Sequence, residues 1–190
     1  MRNVRFARAA LALALASPVA FVVAPATAQE TSYATVGQSE QARADMAETF
    51  GSIDLAPGQF KWASDIPAAG PTRIVISLTD QMGYVYRAGQ LIGVTTVSSG
   101  KTDHETPTGV FPILGKEKVH HSKTYDNASM PYMQRLNSYG VALHGGDNPG
   151  YAASHGCIRL PMKFAARLFT LTQTGSPVII EAYARSIIGF

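Results

Sequence analysis

The chain has 190 residues, 46% of them hydrophobic and 15% charged, with 16 basic and 13 acidic side chains. This composition excludes a disordered, collagen-like or acidic solvating chain, and the length suits one principal domain with a short extra segment. The formal charge of +3 suggests a polyanionic partner until its location is considered.

Arg2, Arg5 and Arg8 precede an apolar, alanine-rich run from Ala9 to Ala24, and the first acid is Glu30. Ala26-Thr27-Ala28 then supplies the small residues of a cleavage site, so residues 1–28 read as a secretory signal peptide. Pro18 and Pro25 interrupt the run and weigh against an uncleaved membrane anchor, and nothing downstream is long and apolar enough to span a bilayer. Three of the 16 basic residues lie in this leader, and the 13 that follow it balance 13 acids. With no Lys/Arg-rich run left to track phosphates, nucleic acid is not an expected partner. The expected location is the periplasm or cell wall.

Residues 29–71 read as a flexible start, a short helix and a linker. Ser39 is the expected N-cap, Ala42, Met46 and Phe50 share one helix face, and Gly51 is the stop. Pro57-Gly58, Pro67 and Gly70-Pro71 mark the irregular lead-in. The folded domain is expected over 72–183, with a tail at 184–190. Strands are expected at 73–78, 84–87, 91–97, 109–114, 140–144 and 177–180, with a turn at Ala88-Gly89. Residues 115–138 are the least regular and read as a long functional or mobile loop. Pro161 starts a helix whose Phe164, Ala165, Leu168 and Leu171 share a face, with Gly175 as its stop. Short strands separated by turns predict a mainly β fold rather than alternating β-α units.

An exported protein enters an oxidising compartment where cysteines usually pair, yet Cys157 is the only one in the chain. It is therefore a buried inert residue, an intermolecular partner or a reactive thiol. His155 stands two residues before it, Arg159 two after, and His144 ends a strand thirteen residues before it. A thiol nucleophile needs its proton removed or its charge stabilised, which an imidazole and nearby positive charge provide. A side chain two positions away seldom folds back onto the sulfur, so His144 is the better candidate base and His155 a local organiser. Gly156 leaves room for backbone N–H groups to converge on an oxyanion. Zinc ligation by His144, Asp147, His155 and Cys157 uses suitable residue types but matches no zinc spacing. His104, His120 and His121 read as solvated loop histidines, Ser154 reads as a local hydrogen-bonding residue, and Tyr132 and Tyr139 could line the cleft or pack in the core or a lid.

Ser154-His155-Gly156-Cys157-Ile158-Arg159-Leu160, with His144-Gly145 upstream, resembles the active-site signature of the L,D-transpeptidase catalytic domain. Ser99-Gly100-Lys101, Thr106-Pro107-Thr108-Gly109-Val110-Phe111 and Met130-Pro131-Tyr132 are similar to further segments of that family. The resemblance implies mixed β-sheets in a sandwich- or barrel-like fold with one or two short helices. It also implies a cysteine acyltransferase acting on peptidoglycan stem peptides, without metal or organic cofactor. Carried over, Cys157 is the nucleophile and His144 the base, oriented by the carbonyl of Gly145. The N–H groups of His155, Gly156 and Cys157 form the oxyanion hole. Arg159 meets a substrate carboxylate, and Ser154 and Tyr132 are further candidate substrate contacts. The acyl-enzyme passes to an amine, giving a 3→3 cross-link or an exchanged D-amino acid. The alternatives are hydrolytic trimming, lipoprotein attachment, or a non-catalytic wall-binding module. Nine residues separate His144 from Ser154, fewer than in many family members, which bears on the choice among acceptors.

Overall fold

The computed structural model describes residues 37–51 and 54–182. The expected signal peptide at 1–28, the start of the mature chain at 29–36 and the tail at 184–190 lie outside these residues. In chain order the described elements are α1 (Gln38–Phe50), β1 (Phe60–Trp62), β2 (Thr72–Ser77), β3 (Met82–Arg87), β4 (Gln90–Thr96) and β5 (Gly109–Pro112). They continue with β6 (Gly115–Glu117), β7 (Met133–Arg135), β8 (Ala142–Gly145), β9 (Ile158–Leu160), α2 (Met162–Leu171) and β10 (Pro177–Glu181).

Six strands form one sheet in the order β1-β4-β3-β2-β10-β5, antiparallel except for the parallel β10–β2 pair. The other four form a second sheet, β6-β7-β8-β9, with β8 and β9 parallel. The main core lies between them. Ile74, Ile76, Val85, Val178 and Ile180 of the larger sheet meet Leu143, Ile158 and Leu160 of the smaller, with Phe164, Ala165 and Leu168 of α2. The intervening residues Val75, Tyr84, Tyr86, Val94 and Ile179 face the opposite side, where Ala42 and Met46 of α1 cover them. Burial on both faces explains why β2 and β10 read as continuous apolar runs instead of alternating ones. Between β3 and β4 the register slips at Val85/Tyr86, leaving Ile92 as an extra residue.

Each helix departs from the sequence expectation at one end. Ser39 is not the N-cap of α1; left-handed Gly37 (φ 86°) precedes the helix. The Glu181 carboxylate, from β10, accepts the Gln38 N–H at 3.2 Å, the Ser39 N–H at 2.8 Å and the Ser39 hydroxyl at 2.7 Å. A charged acceptor suits a helix N-terminus, and here it comes from 142 residues away. Gly51, with φ 64°, closes the helix as expected. Helix α2 follows Pro161 but ends at Leu171, not at Gly175, which instead turns the chain into β10.

The C-terminus of α2 is held by Lys116. Its ammonium donates to the carbonyls of Phe169 and Thr172, each at 2.6 Å, and sits 4.3 Å from the centre of the Phe169 ring. Burial lowers its pKa. Lys116→Met keeps the stem but orphans two helix-end carbonyls. The expected loss is about 1–3 kcal/mol, read as a lower denaturant midpoint at unchanged m-value. An unaltered midpoint would show that water replaces the ammonium without loss.

Candidate active site

The smaller sheet has one face turned to the core and one to a cleft, and strand alternation decides which residues reach each. Gln134 lies opposite Leu143, and Leu143 opposite Ile158, in the core-facing row. One residue along each strand, the side chains point the other way. Glu117 then lies opposite Met133, Arg135 opposite Ala142, and His144 opposite Arg159. Cys157, two residues before Arg159, falls on the same face. His144, Cys157 and Arg159 accordingly share a cleft of about 770 Å³ with Glu117, Met133 and Arg135.

The loop carrying Cys157 is bound to the segment after β4. Ser98 and Arg159 exchange backbone bonds of 3.0 and 2.9 Å. The Ser99 carbonyl accepts from the N–H groups of Ala153 and Ser154, and the Lys101 N–H donates to the Ser154 carbonyl. The Thr106 hydroxyl accepts the Gly100 N–H at 2.8 Å and donates to the Gly156 carbonyl at 2.9 Å. Ser99-Gly100-Lys101 and the threonine-proline-glycine segment thus act as the frame on which the cysteine loop is set.

His144 is buried, and its Nδ1 lies 2.9 Å from the carbonyl oxygen of Gly145. A carbonyl can only accept, so Nδ1 carries the hydrogen and Nε2 is left as the basic nitrogen. Burial, chiefly, holds this imidazole below its ordinary pKa; the bond to Gly145 opposes the shift, while Arg159 and His120 add to it. Cys157 is partly buried against Met130, Met133 and Ala142, and its sulfur lies 3.6 Å from the Gly140 carbonyl. Burial pushes the thiol pKa up, against the Ala142 amide and Arg159, which lower it. Both shifts favour the uncharged forms, a thiol and a neutral base lining one cleft. Such a pair can transfer its proton as the sulfur attacks a carbonyl.

Two sequence expectations need correction, at Gly156 and Tyr132. The Gly156 N–H donates to the Ser154 hydroxyl at 3.1 Å, so it is not available to an oxyanion. Among the described residues the N–H groups of His155 and Cys157 have no protein acceptor. Ser154, 1% exposed, lines the cleft and spends its hydroxyl on the Gly156 N–H and the Cys157 carbonyl, bracing the turn. The Tyr132 ring packs edge-on against Phe169 of α2 at 5.9 Å, on the core side, and does not line the cleft. Exposed Tyr139 does.

The segment 115–138 holds β6 and β7, and it brings Glu117, Met133, Arg135 and His120 to the cleft. Sequence reasoning missed all four; period-two alternation around Met133-Gln134-Arg135 was the only signal, and three residues are too few to reveal it. His120 is not a free loop histidine, since its Nδ1 lies 2.8 Å from Glu117 Oε2. His104 is exposed but its ring stands 4.8 Å from that of His155, which stacks on Tyr125 at 4.5 Å. No three His, Cys, Asp or Glu side chains cluster as metal ligands among the described residues.

A thiol, an imidazole of fixed tautomer and a guanidinium on one sheet face are the equipment of a cysteine acyltransferase. The chain belongs to the L,D-transpeptidase catalytic-domain family, whose model (YkuD) matches residues 71–180. A Bacillus licheniformis protein named as an L,D-transpeptidase of the YkuD type is 28% identical over 120 residues, 60% of this chain and 68% of its own length. L,D-transpeptidase 1 of Mycobacterium tuberculosis is 32% identical over 120 residues, 55% of this chain and 48% of its own. A solved L,D-transpeptidase in complex with imipenem superposes with a TM-score of 0.54 at 25% identity, covering 58% of each chain. The chain therefore spans about half the length of the mycobacterial relative.

Proposed function

We propose that this protein is an exported L,D-transpeptidase that works on peptidoglycan stem peptides through an acyl-enzyme on Cys157. The observation that carries the reading is the placement of His144, Cys157 and Arg159 on one sheet face, with Nδ1 of His144 committed to the Gly145 carbonyl. The thiol of Cys157 attacks the carbonyl of the third stem residue, and His144 Nε2 takes its proton. The developing oxyanion is met by the N–H groups of His155 and Cys157. His144 then returns the proton to the amine of the departing D-alanine. Arg159 anchors a substrate carboxylate through its fork of donors. An acceptor amine resolves the thioester, giving a 3→3 cross-link or an exchanged D-amino acid. The leader at 1–28 supports export to the compartment that holds this substrate.

Intact-mass measurement after incubation with imipenem tests the acylation half. One adduct is expected on the wild type and none on Cys157→Ala. An equal adduct on both proteins would remove Cys157 from the nucleophile's place.

A further inference from the structure

The mechanism above accounts for only one of the two protons that the acceptor must lose. An alkyl amine arrives at neutral pH as an ammonium, which has no lone pair for attack; His144, neutral again once D-alanine has left, can carry one proton to the sulfur, and the other needs a second acceptor. The cleft contains a second acid-base pair. Glu117 stands on β6, the edge strand of the sheet that carries His144 and Arg159, and His120 follows three residues later. His120 Nδ1 lies 2.8 Å from Glu117 Oε2, and both side chains line the cleft with Cys157. Glu117 can only accept when ionised, so the shared hydrogen lies on Nδ1 and Nε2 of His120 is left to accept. His120 also lies close enough to His144 for a charge on it to oppose protonation there. The pair thus combines a carboxylate suited to an ammonium with an imidazole that can take a proton from it. It enters the cleft from the β6 side, opposite the strand that leads out of Cys157.

We propose that Glu117 and His120 form the acceptor subsite, which binds a primary ammonium and deprotonates it. The inference rests on the acyl-enzyme reading. The ammonium gives one proton to His120 Nε2, and the imidazolium is held by Glu117. The freed amine attacks the thioester carbonyl, the C–N bond forms and the C–S bond breaks. The second amine proton passes through His144 to the departing sulfur. The products are an amide, the Cys157 thiol and a protonated His120, which discharges to water.

The test uses the full chain and the variants Glu117→Gln and His120→Gln, with a disaccharide-tetrapeptide as donor. Three acceptors are compared: a second tetrapeptide, free D-methionine, and hydroxylamine, which is largely unprotonated at neutral pH and needs no base. Imipenem acylation of the same samples reports the fold and the first half-reaction. In His120→Gln, transfer to the alkyl amines is expected to fall about 10²-fold relative to hydrolysis, while transfer to hydroxylamine holds. Glu117→Gln is expected to fall in the same direction. Loss with the tetrapeptide alone, or with D-methionine alone, identifies which amine the pair serves. An equal loss with hydroxylamine, or no loss with either alkyl amine, overturns the proposal. Failure of the wild type to acylate would instead overturn the acyl-enzyme reading beneath it.

Discussion

His144→Gln is expected to slow acylation of Cys157 by about 10²–10⁴-fold, because it removes the basic nitrogen while keeping a polar side chain in a buried site. The same reasoning fixes the pH profile. Burial holds the His144 imidazole below its usual value near 6.5, so it becomes neutral, and able to accept a proton, at a lower pH than a solvated histidine. Acylation should therefore rise through an acid limb lying below about pH 6.5 and be level by neutrality. In His144→Gln that limb should vanish. The thiol shifts the opposite way, since burial favours its neutral form. Alkylation by iodoacetamide, which needs the thiolate, should keep climbing into the alkaline range. A wild-type alkylation rate already on its plateau in mild acid would show a standing thiolate–imidazolium pair and sink the neutral-pair assignment.

What could be read in the sequence was local chemistry. The cysteine, its flanking residues and the strand-terminal His144 lie within sixteen residues, and small turn-forming residues between them make a close approach legible. The long strands were legible for a similar reason: six or seven residues rich in β-branched and aromatic side chains carry enough signal to name an element. What was lost was either short or distant. β1, β6, β7 and β9 have three residues each, and their identity comes from partners in the sheet. Glu117 and Arg135 therefore stayed hidden although alternation alone puts them on the sheet face that carries His144. The cap of α1 was illegible for the second reason, since Glu181 supplies what Ser39 alone was expected to provide. The oxyanion assignment failed at finer grain. A glycine next to a catalytic cysteine suggests a free N–H, but a serine two residues before that glycine can claim the same hydrogen.

The frame behind the cysteine loop supplies the second large effect. Gly100→Ala would place a Cβ 2.0 Å from the His104 carbonyl oxygen, 2.8 Å from the Thr106 nitrogen and 3.0 Å from the Glu105 carbonyl carbon. All three are backbone atoms, so no side-chain rotation relieves the overlap; the turn at 101–106 must open. That turn carries the Thr106 hydroxyl, which joins the Gly100 N–H to the Gly156 carbonyl, one residue from the nucleophile. The expected loss is about 3 kcal/mol, at the upper end for overpacking, accompanied by a fall in imipenem acylation measured well below the unfolding transition. Gly115→Ala is the comparison, since its nearest neighbour is the Arg135 Nη2 at 3.7 Å and the added methyl meets ordinary contact. Its stability should stay within about 0.5 kcal/mol of wild type. Thr106→Val separates the two consequences, for it leaves Gly100 its space but cuts the hydroxyl bridge. If the bridge positions the cysteine loop, Thr106→Val loses acylation rate more than stability, whereas Gly100→Ala loses both. Full acylation in folded Gly100→Ala would mean that the loop holds the thiol without this frame.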